Sequence, residues 1–278
     1  MIKWEHSIFA LPFALTGMVL AAHGWPSWRV VALIVLCMVS ARTAAMAFNR
    51  LADAELDAEN PRTKMRALPA GELSKAFTAG FVLVAATVFV VAAFELNRLS
   101  GLLSPVALAV LLGYSYMKRF TRWSHAILGL SLGIAPAAAW IAVRGTLDPR
   151  ILLLTAIVIL WAGGFDVLYA CQDFEHDRRV GLNSVPQAFG LKGAFWVARL
   201  AHLAAVAMLA VFGSVFALGW PAWLGFAVVA ALLSYEHSIV APDDLRRMNA
   251  AFFTLNGIIS VVFFVAVACD LWRQHAGA

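Results

Sequence analysis

Charged residues are scarce in this chain. Asp, Glu, Lys and Arg make up 13% of its 278 residues, whereas 62% are hydrophobic and the mean hydropathy is +0.82. An average soluble domain carries about 25% charged residues. The low charge therefore excludes an ordinary soluble domain and indicates an integral membrane protein.

Cysteine is also rare. The three cysteines, Cys37, Cys171 and Cys269, lie in or at the ends of apolar segments, and the sequence has no C-x-x-C pair. A disulfide framework or a zinc site normally needs more cysteines at closer spacing. The cysteine content therefore argues against both.

Long apolar runs divide the chain. They lie at about 8–22, 30–48, 76–94, 101–117, 126–143, 151–171, 194–218, 222–240 and 251–271. Most are close to the roughly 20 residues that a helix needs to cross the hydrocarbon core. We expect an all-α integral membrane protein in which nine transmembrane helices form a single domain over residues 1–278.

The basic residues are distributed unevenly between the two sides of the predicted bundle. The net charge of +5 is typical of some nucleic-acid-binding proteins, but most Lys and Arg residues lie in connections on the side that holds the N-terminus. The other side has only Arg29, Arg98, Arg144, Arg150 and Arg273. This bias favours a multi-pass protein of the inner (cytoplasmic) membrane, with a cytoplasmic N-terminus and no nucleic-acid partner.

More than half of the 16 acidic residues lie in two segments, 49–72 and 166–177, at the ends of the second and sixth apolar runs. Regularly spaced polar residues in them are Asn49, Asp53 and Asp57 in the first, and Asp166, Tyr169, Asp173 and Asp177 in the second. If each segment continues the preceding helix, each set lies on one helical face. We expect the two faces to form a cup of carboxylates at the cytoplasmic mouth of the bundle.

Such a cup is suited to a magnesium–diphosphate complex. Carboxylate oxygens are the ligands that Mg²⁺ prefers, and Mg²⁺ takes further ligands from bound phosphate. Cations are available nearby to neutralise a diphosphate, namely Arg62, Lys64, Arg66, Lys118, Arg119, Arg178 and Arg179. Asp57 and Asp177 are 120 residues apart, a spacing that indicates two four-helix halves plus a ninth helix.

These motifs resemble those of the UbiA superfamily of membrane prenyltransferases, which has a nine-helix fold. That family pairs N-x-x-x-D-x-x-x-D with a later D-x-x-Y-x-x-x-D-x-x-x-D, and both patterns are present at 49–57 and 166–177. The segments 60–71, 116–119 and 181–186 resemble the branch that prenylates aromatic acids for respiratory quinones. The resemblance implies Mg²⁺-dependent transfer of a polyprenyl group from its diphosphate to a ring carbon of a 4-hydroxybenzoate-like acid, in ubiquinone or menaquinone biosynthesis.

The resemblance also assigns roles to residues. The implied metal positions are Asn49, Asp53, Asp57, Asp173 and Asp177. Asp166 and Tyr169 belong to the second motif but lie deeper, where Asp166 orders the metal ligands, supports tail-side chemistry or helps to deprotonate the acceptor. Lys118 and Arg119 match a basic segment that approaches the diphosphate.

Two residues bear on the choice of acceptor. Arg42 lies within an apolar run, where it binds the diphosphate, binds the acceptor carboxylate or pairs with an acid. His6 stands where many 4-hydroxybenzoate enzymes carry Arg or Lys. Because of this departure, a naphthoate-type menaquinone prenyltransferase stays an alternative function.

Homogentisate, haem and lipid-ether prenyltransferases share the scaffold of the family, so each of them is also an alternative function. Outside the enzymes, a cation transporter would also carry acids in a membrane bundle. A transporter is disfavoured because the acids cluster at the ends of two helices instead of near the middle of several. Membrane lipid is the expected surrounding, and the sequence indicates no obligate protein partner.

Overall fold

The computed structural model describes residues 7–276, with the side chains of 7, 8 and 250–252 left aside. Across this range the chain is helical, and its β-structure is limited to an isolated bridge between Ala241 and Asp244. The predicted all-α class is confirmed. His6 lies outside the described residues.

The α-helices in chain order are α1 (Ser7–Ala22), α2 (Trp28–Ala52), α3 (Ala54–Glu59), α4 (Lys75–Leu96), α5 (Arg98–Phe120), α6 (Ser124–Arg144), α7 (Leu152–Ala170), α8 (Phe174–Val180), α9 (Val185–Val215), α10 (Trp220–Ile239) and α11 (Asn256–Ala276). Short 3₁₀ turns cover Pro149–Ile151 and Cys171–Asp173, and a π-helical turn covers Ala250–Leu255. Helix α9 is interrupted at Gly190, which has a φ of 69°.

Eight of these helical segments are long and apolar enough to cross a membrane. Helix α1 is apolar but has 16 residues, fewer than the roughly 20 that a full crossing needs. All nine predicted apolar runs correspond to helices, yet the count of nine crossings stays a prediction. The chain is therefore a multi-pass membrane protein.

Helices α6 and α7 lie at the centre of the bundle, where α1 packs against α6 and α9 packs against α7. Their core contains the buried aromatic side chains of Trp161, Phe165 and Phe212. On the outside, large apolar side chains such as Leu83 and Leu203 are exposed, as suits contact with lipid.

The connections that follow α2, α5, α7 and α10 converge at one end of the bundle, which we call the acidic end. The backbone carbonyl of Lys118 accepts a hydrogen bond from the backbone N–H of Asn183 at 2.7 Å. Arg62 reaches across the same end to Asp173. The first contact joins α5 to the connection before α9, and the second joins the segment after α3 to the second acidic segment.

Neither acidic segment is a continuous extension of its helix, so that prediction was wrong. Helix α2 ends at Ala52, and Asp53 (φ −99°, ψ 7°) separates it from α3. The second segment passes through a 3₁₀ turn to Asp173 (φ −100°, ψ 7°) before α8 begins. Asp is a weak helix former that favours helix boundaries, and carboxylates in a first helical turn are stabilised by the helix dipole.

Candidate active site

A large cavity of about 1310 Å³ extends from the acidic end into the bundle. Both acidic segments contribute to its wall near the acidic end. Deeper in the bundle the wall is apolar and includes Ile34, Leu132, Ala139 and Leu152. The cavity therefore joins a strongly polar mouth to a hydrocarbon-like interior.

Asp53 is the most buried of the motif carboxylates, at 3% exposed. Its Oδ2 atom accepts hydrogen bonds from Lys118 Nζ at 2.9 Å and from Asn49 Nδ2 at 3.0 Å. Its Oδ1 atom is buried and has no hydrogen-bond partner. Arg119 Nη2 lies 3.8 Å from this oxygen, so a guanidinium is close to it while its hydrogen-bonding capacity is unused.

Asp57 is held by arginine. Both of its oxygens accept hydrogen bonds from Arg66 Nη1 at 2.7 Å, and Arg50 Nη1 lies 3.6 Å away. The Thr63 hydroxyl donates to the backbone carbonyl of Asp57 at 3.0 Å. The segment after α3 thus folds back over the carboxylate that precedes it.

Asp173 binds a single guanidinium through both of its oxygens. Arg62 Nε donates to Oδ1 at 2.9 Å and Arg62 Nη2 donates to Oδ2 at 2.5 Å. Arg62 Nη1 also donates to the Tyr169 hydroxyl at 3.2 Å, and Asn60 Nδ2 donates to Asp173 Oδ1 at 3.1 Å. Burial lowers the pKa of Arg62, but the hydrogen bonds and charge of Asp173 outweigh burial and raise this pKa overall.

Asp177 also lines the cavity. Asp166 lies farther along α7, where its Oδ2 atom is 2.7 Å from His125 Nδ1. All four motif aspartates of the predicted cup, together with Asn49, Asp166 and Tyr169, therefore face one cavity.

No group of three or more His, Cys, Asp or Glu side chains is arranged to hold a metal ion within the part of the chain that the structure describes. Three of the motif carboxylates instead pair with cations: Asp53 with Lys118, Asp57 with Arg66, and Asp173 with Arg62. The donor atoms still fit Mg²⁺, because they are hard oxygens and one of them has no hydrogen-bond partner. The predicted metal set stays a prediction.

Arg42 lines the cavity deeper in the bundle than the motif carboxylates, and its Nε atom is buried without a hydrogen-bond partner. Tyr114, on the neighbouring α5, interacts electrostatically with Arg42, Asp53 and Asp166. A guanidinium with unused donors beside a phenol in an apolar cavity is suited to binding a small anionic molecule.

The structure does not bring every predicted residue to the cavity. Arg119 lies outside its wall, where Nη2 donates to the Ala52 carbonyl at 2.6 Å and the guanidinium sits over the Tyr116 ring. Arg178 is exposed and outside the wall. Arg62, Arg66 and Lys118 do line it.

Sequence reasoning gave no role to several polar residues of the wall, among them Arg50, Asn60, Tyr114 and His125. Arg50 and Asn60 lie within or beside the first acidic segment, so their position was a usable signal. Tyr114 and His125 stand in apolar surroundings outside both motifs, and only the packing of α5 and α6 places them in the cavity.

Comparison with known proteins agrees with this architecture. The profile of the UbiA prenyltransferase family matches residues 10–258. The 4-hydroxybenzoate octaprenyltransferase of Vibrio cholerae serotype O1 is 30% identical over 270 residues, which span 96% of this chain and 93% of that protein. This chain belongs to the UbiA prenyltransferase family.

Two solved structures have the same fold. A UbiA homologue from Aeropyrum pernix K1 is 31% identical, with a TM-score of 0.89 over 98% of this chain and 100% of that one. A UbiA homologue from Archaeoglobus fulgidus, solved with DMAPP and Mg²⁺ bound, is 19% identical, with a TM-score of 0.71 over 96% of this chain and 95% of that one.

Proposed function

We propose that this protein transfers a polyprenyl group from an allylic polyprenyl diphosphate to a ring carbon of an aromatic hydroxy acid such as 4-hydroxybenzoate, in quinone biosynthesis. Support comes from family membership and from the activity named for the Vibrio cholerae relative. The reaction takes place at the acidic end, which faces the cytoplasm of the inner membrane.

One observation carries this proposal: a single cavity joins a charged mouth to an apolar interior. A polyprenyl diphosphate has the same division, because its head is anionic and its tail is hydrocarbon. Apolar walls bind the tail through the hydrophobic effect and exclude the water that would capture an allylic cation. The cavity therefore matches the division of the donor substrate into a charged head and an apolar tail.

The motif residues hold the head group. Asn49, Asp53, Asp57, Asp173 and Asp177 bind Mg²⁺, which when bound neutralises charge on the leaving diphosphate. The A. fulgidus homologue with Mg²⁺ and DMAPP supports this choice of ion. Lys118, Arg62 and Arg66 form ion pairs with the carboxylates in this structure. When the carboxylates hold Mg²⁺, these three cations would be available to bind the diphosphate oxygens.

Departure of the diphosphate leaves positive charge on the allylic carbon. The ring carbon beside the acceptor hydroxyl is electron-rich, so it forms the new carbon–carbon bond. Loss of a proton from that carbon then restores aromaticity. The acceptor is oriented by its carboxylate, for which Arg42 offers a guanidinium with an unpaired Nε atom.

The test is an acceptor panel with the purified protein in detergent. Geranyl diphosphate and Mg²⁺ are supplied with 4-hydroxybenzoate, 1,4-dihydroxy-2-naphthoate or homogentisate, and products are identified by mass spectrometry. We expect prenylated 4-hydroxybenzoate as the main product. Preferred use of the naphthoate would retain the reaction type but change the acceptor.

Variants test the metal assignment. Asp53→Ala and Asp173→Ala should each lower kcat more than about 100-fold, since removing even an outer-shell partner of a metal site costs about 10–100-fold. Glu55→Ala is a matched control, because the Glu55 side chain is 90% exposed and outside the cavity wall. Full activity in the two aspartate variants would contradict the assignment, and Mg²⁺ flux in liposomes without prenyl transfer would indicate a transporter.

A further inference from the structure

A buried histidine pairs with the deepest acid of the second motif. His125, near the start of α6, is 6% exposed, and its Nδ1 atom lies 2.7 Å from Asp166 Oδ2 on α7. Both residues line the cavity. His125 belongs to neither acidic motif.

The other ring nitrogen determines the tautomer. The backbone N–H of Val185, at the start of α9, donates to His125 Nε2 at 3.3 Å. Nε2 must therefore carry a lone pair, and the ring proton sits on Nδ1 and is donated to Asp166. His125 is a neutral donor held between three helices.

Asp166 differs from the other motif acids in what holds it. Asp53, Asp57 and Asp173 pair with Lys or Arg, and those cations compete with any incoming proton. The hydrogen-bond partner of Asp166 is the neutral imidazole of His125. Its side chain is 19% exposed, so part of the carboxylate is open to the cavity.

Its position suits a role in proton transfer. Asp166 lines the same cavity as Arg42 and Tyr114, the residues that we assign to the acceptor pocket. Asp166 lies on α7, whereas Asp173 lies in the 3₁₀ turn beyond the end of that helix. The carboxylate of Asp166 is therefore deeper in the bundle than the acids that we assign to the diphosphate.

We propose that Asp166 accepts the proton lost from the acceptor ring and that His125 is the positioning residue that holds its carboxylate for this step. The inference rests on the proposed prenyl transfer and deepens it. In the first step the allylic C–O bond breaks, the diphosphate leaves with the electron pair, and the ring carbon bonds to the allylic carbon. In the second step the C–H bond of that ring carbon breaks, its electron pair restores the aromatic ring, and the proton passes to Asp166.

The first test uses a kinetic isotope effect. In wild type, proton loss from the ring is fast, so 4-hydroxybenzoate deuterated at both carbons beside the hydroxyl should react at the normal rate. In His125→Leu, we expect kcat to fall about 10–100-fold, the KM for geranyl diphosphate to stay unchanged, and a primary isotope effect to appear. A merely structural role of His125 would lower kcat without creating an isotope effect.

The second test asks whether His125 acts through Asp166. Asp166→Asn should lower kcat by about 100-fold or more, in the range found for general bases. Adding His125→Leu to Asp166→Asn should then cost nothing further, because two residues in one pathway are not additive. His125→Asn retains a donor for Asp166 and should recover most of the activity.

His202→Leu is the matched control. His202 is also a buried histidine paired with a side chain, His237 at 2.9 Å, but it lies outside the cavity. We expect no isotope effect in this variant. Wild-type kcat in His125→Leu, a lowered kcat without an isotope effect, or fully additive losses in the double variant would overturn the proposal. Absence of prenyl transfer by the wild type would instead overturn the proposed function.

Discussion

Arg42 lies seven residues before Asn49 on α2, roughly 10 Å farther from the acidic end along the helix axis. The backbone of Arg42 therefore lies deeper in the bundle than the diphosphate site that we propose at Asp53 and Lys118. An arginine within an apolar span is costly unless it has an anionic partner. The distance favours the acceptor carboxylate over the diphosphate as that partner.

The residue-scale prediction concerns this carboxylate. Arg42→Leu should raise the acceptor KM about 10-fold or more, since a charge-assisted hydrogen bond contributes about 1.5–3 kcal/mol. The KM for geranyl diphosphate should not change. Both values are obtained from initial rates at varied concentrations of one substrate.

The methyl ester of 4-hydroxybenzoate is the control, because it lacks the negative charge. Wild type and Arg42→Leu should use the ester equally poorly. If Arg42→Leu instead raises the KM of the prenyl diphosphate alone, Arg42 binds the diphosphate and our assignment is wrong.

At the scale of elements, the contact between α6 and α7 sets the geometry of the proposed proton acceptor. The two helices carry His125 and Asp166, and they approach closely at Gly129. A Cβ atom placed on Gly129 would lie 2.4 Å from the backbone carbonyl oxygen of Ile159. Backbone atoms cannot move aside as a flexible side chain can, so the helices must separate if this residue grows.

We therefore expect Gly129→Ala to destabilise the protein by about 1–3 kcal/mol, the usual cost of overpacking. The activity should also fall, because separation of the helices lengthens the contact between His125 and Asp166. The temperature of aggregation in detergent and the rate of prenyl transfer are the two measurements.

Gly80→Ala on α4 is the matched substitution, because an added Cβ atom there meets nothing within 4 Å. It should leave activity unchanged and retain or raise stability, since Ala is a better helix former than Gly. Equal behaviour of the two variants would show that the contact at Gly129 does not constrain the bundle.

At the scale of the whole molecule, the uneven distribution of basic residues predicts the orientation in the membrane. The acidic end should face the cytoplasm, and the connection between α6 and α7 should face the opposite side. Exposed residues are available for labelling at both ends, Glu72 at the acidic end and Thr146 at the other.

This orientation can be measured with single cysteines. Cys269 is the exposed native cysteine among the described residues, so Cys269→Ser provides the background. Glu72→Cys should react with a membrane-impermeant thiol reagent in inside-out vesicles, and Thr146→Cys should react in right-side-out vesicles. The reverse pattern would place the active site on the other face of the membrane.

The apolar runs alone predicted most of the fold. Each run became a helix because a segment in lipid must satisfy its backbone hydrogen bonds internally, a constraint that acts locally along the chain. The helix boundaries at Asp53 and Asp173 were not predicted. They depend on how each acidic segment folds back onto the bundle, as in the contacts of Arg66 with Asp57 and of Arg62 with Asp173.

The spacing of the motifs predicted which acids line the candidate site, although the helices that carry them are interrupted at Asp53 and Asp173. The motif spacing could not predict Tyr114 and His125, because they reach the cavity from α5 and α6, which are far in sequence from both motifs. The sequence by itself therefore determined the membrane class, the family resemblance and the chemistry of the mouth. Only the tertiary structure decided which cation holds each acid and that Asp166 pairs with a neutral histidine, because these contacts arise from helix packing and not from local spacing.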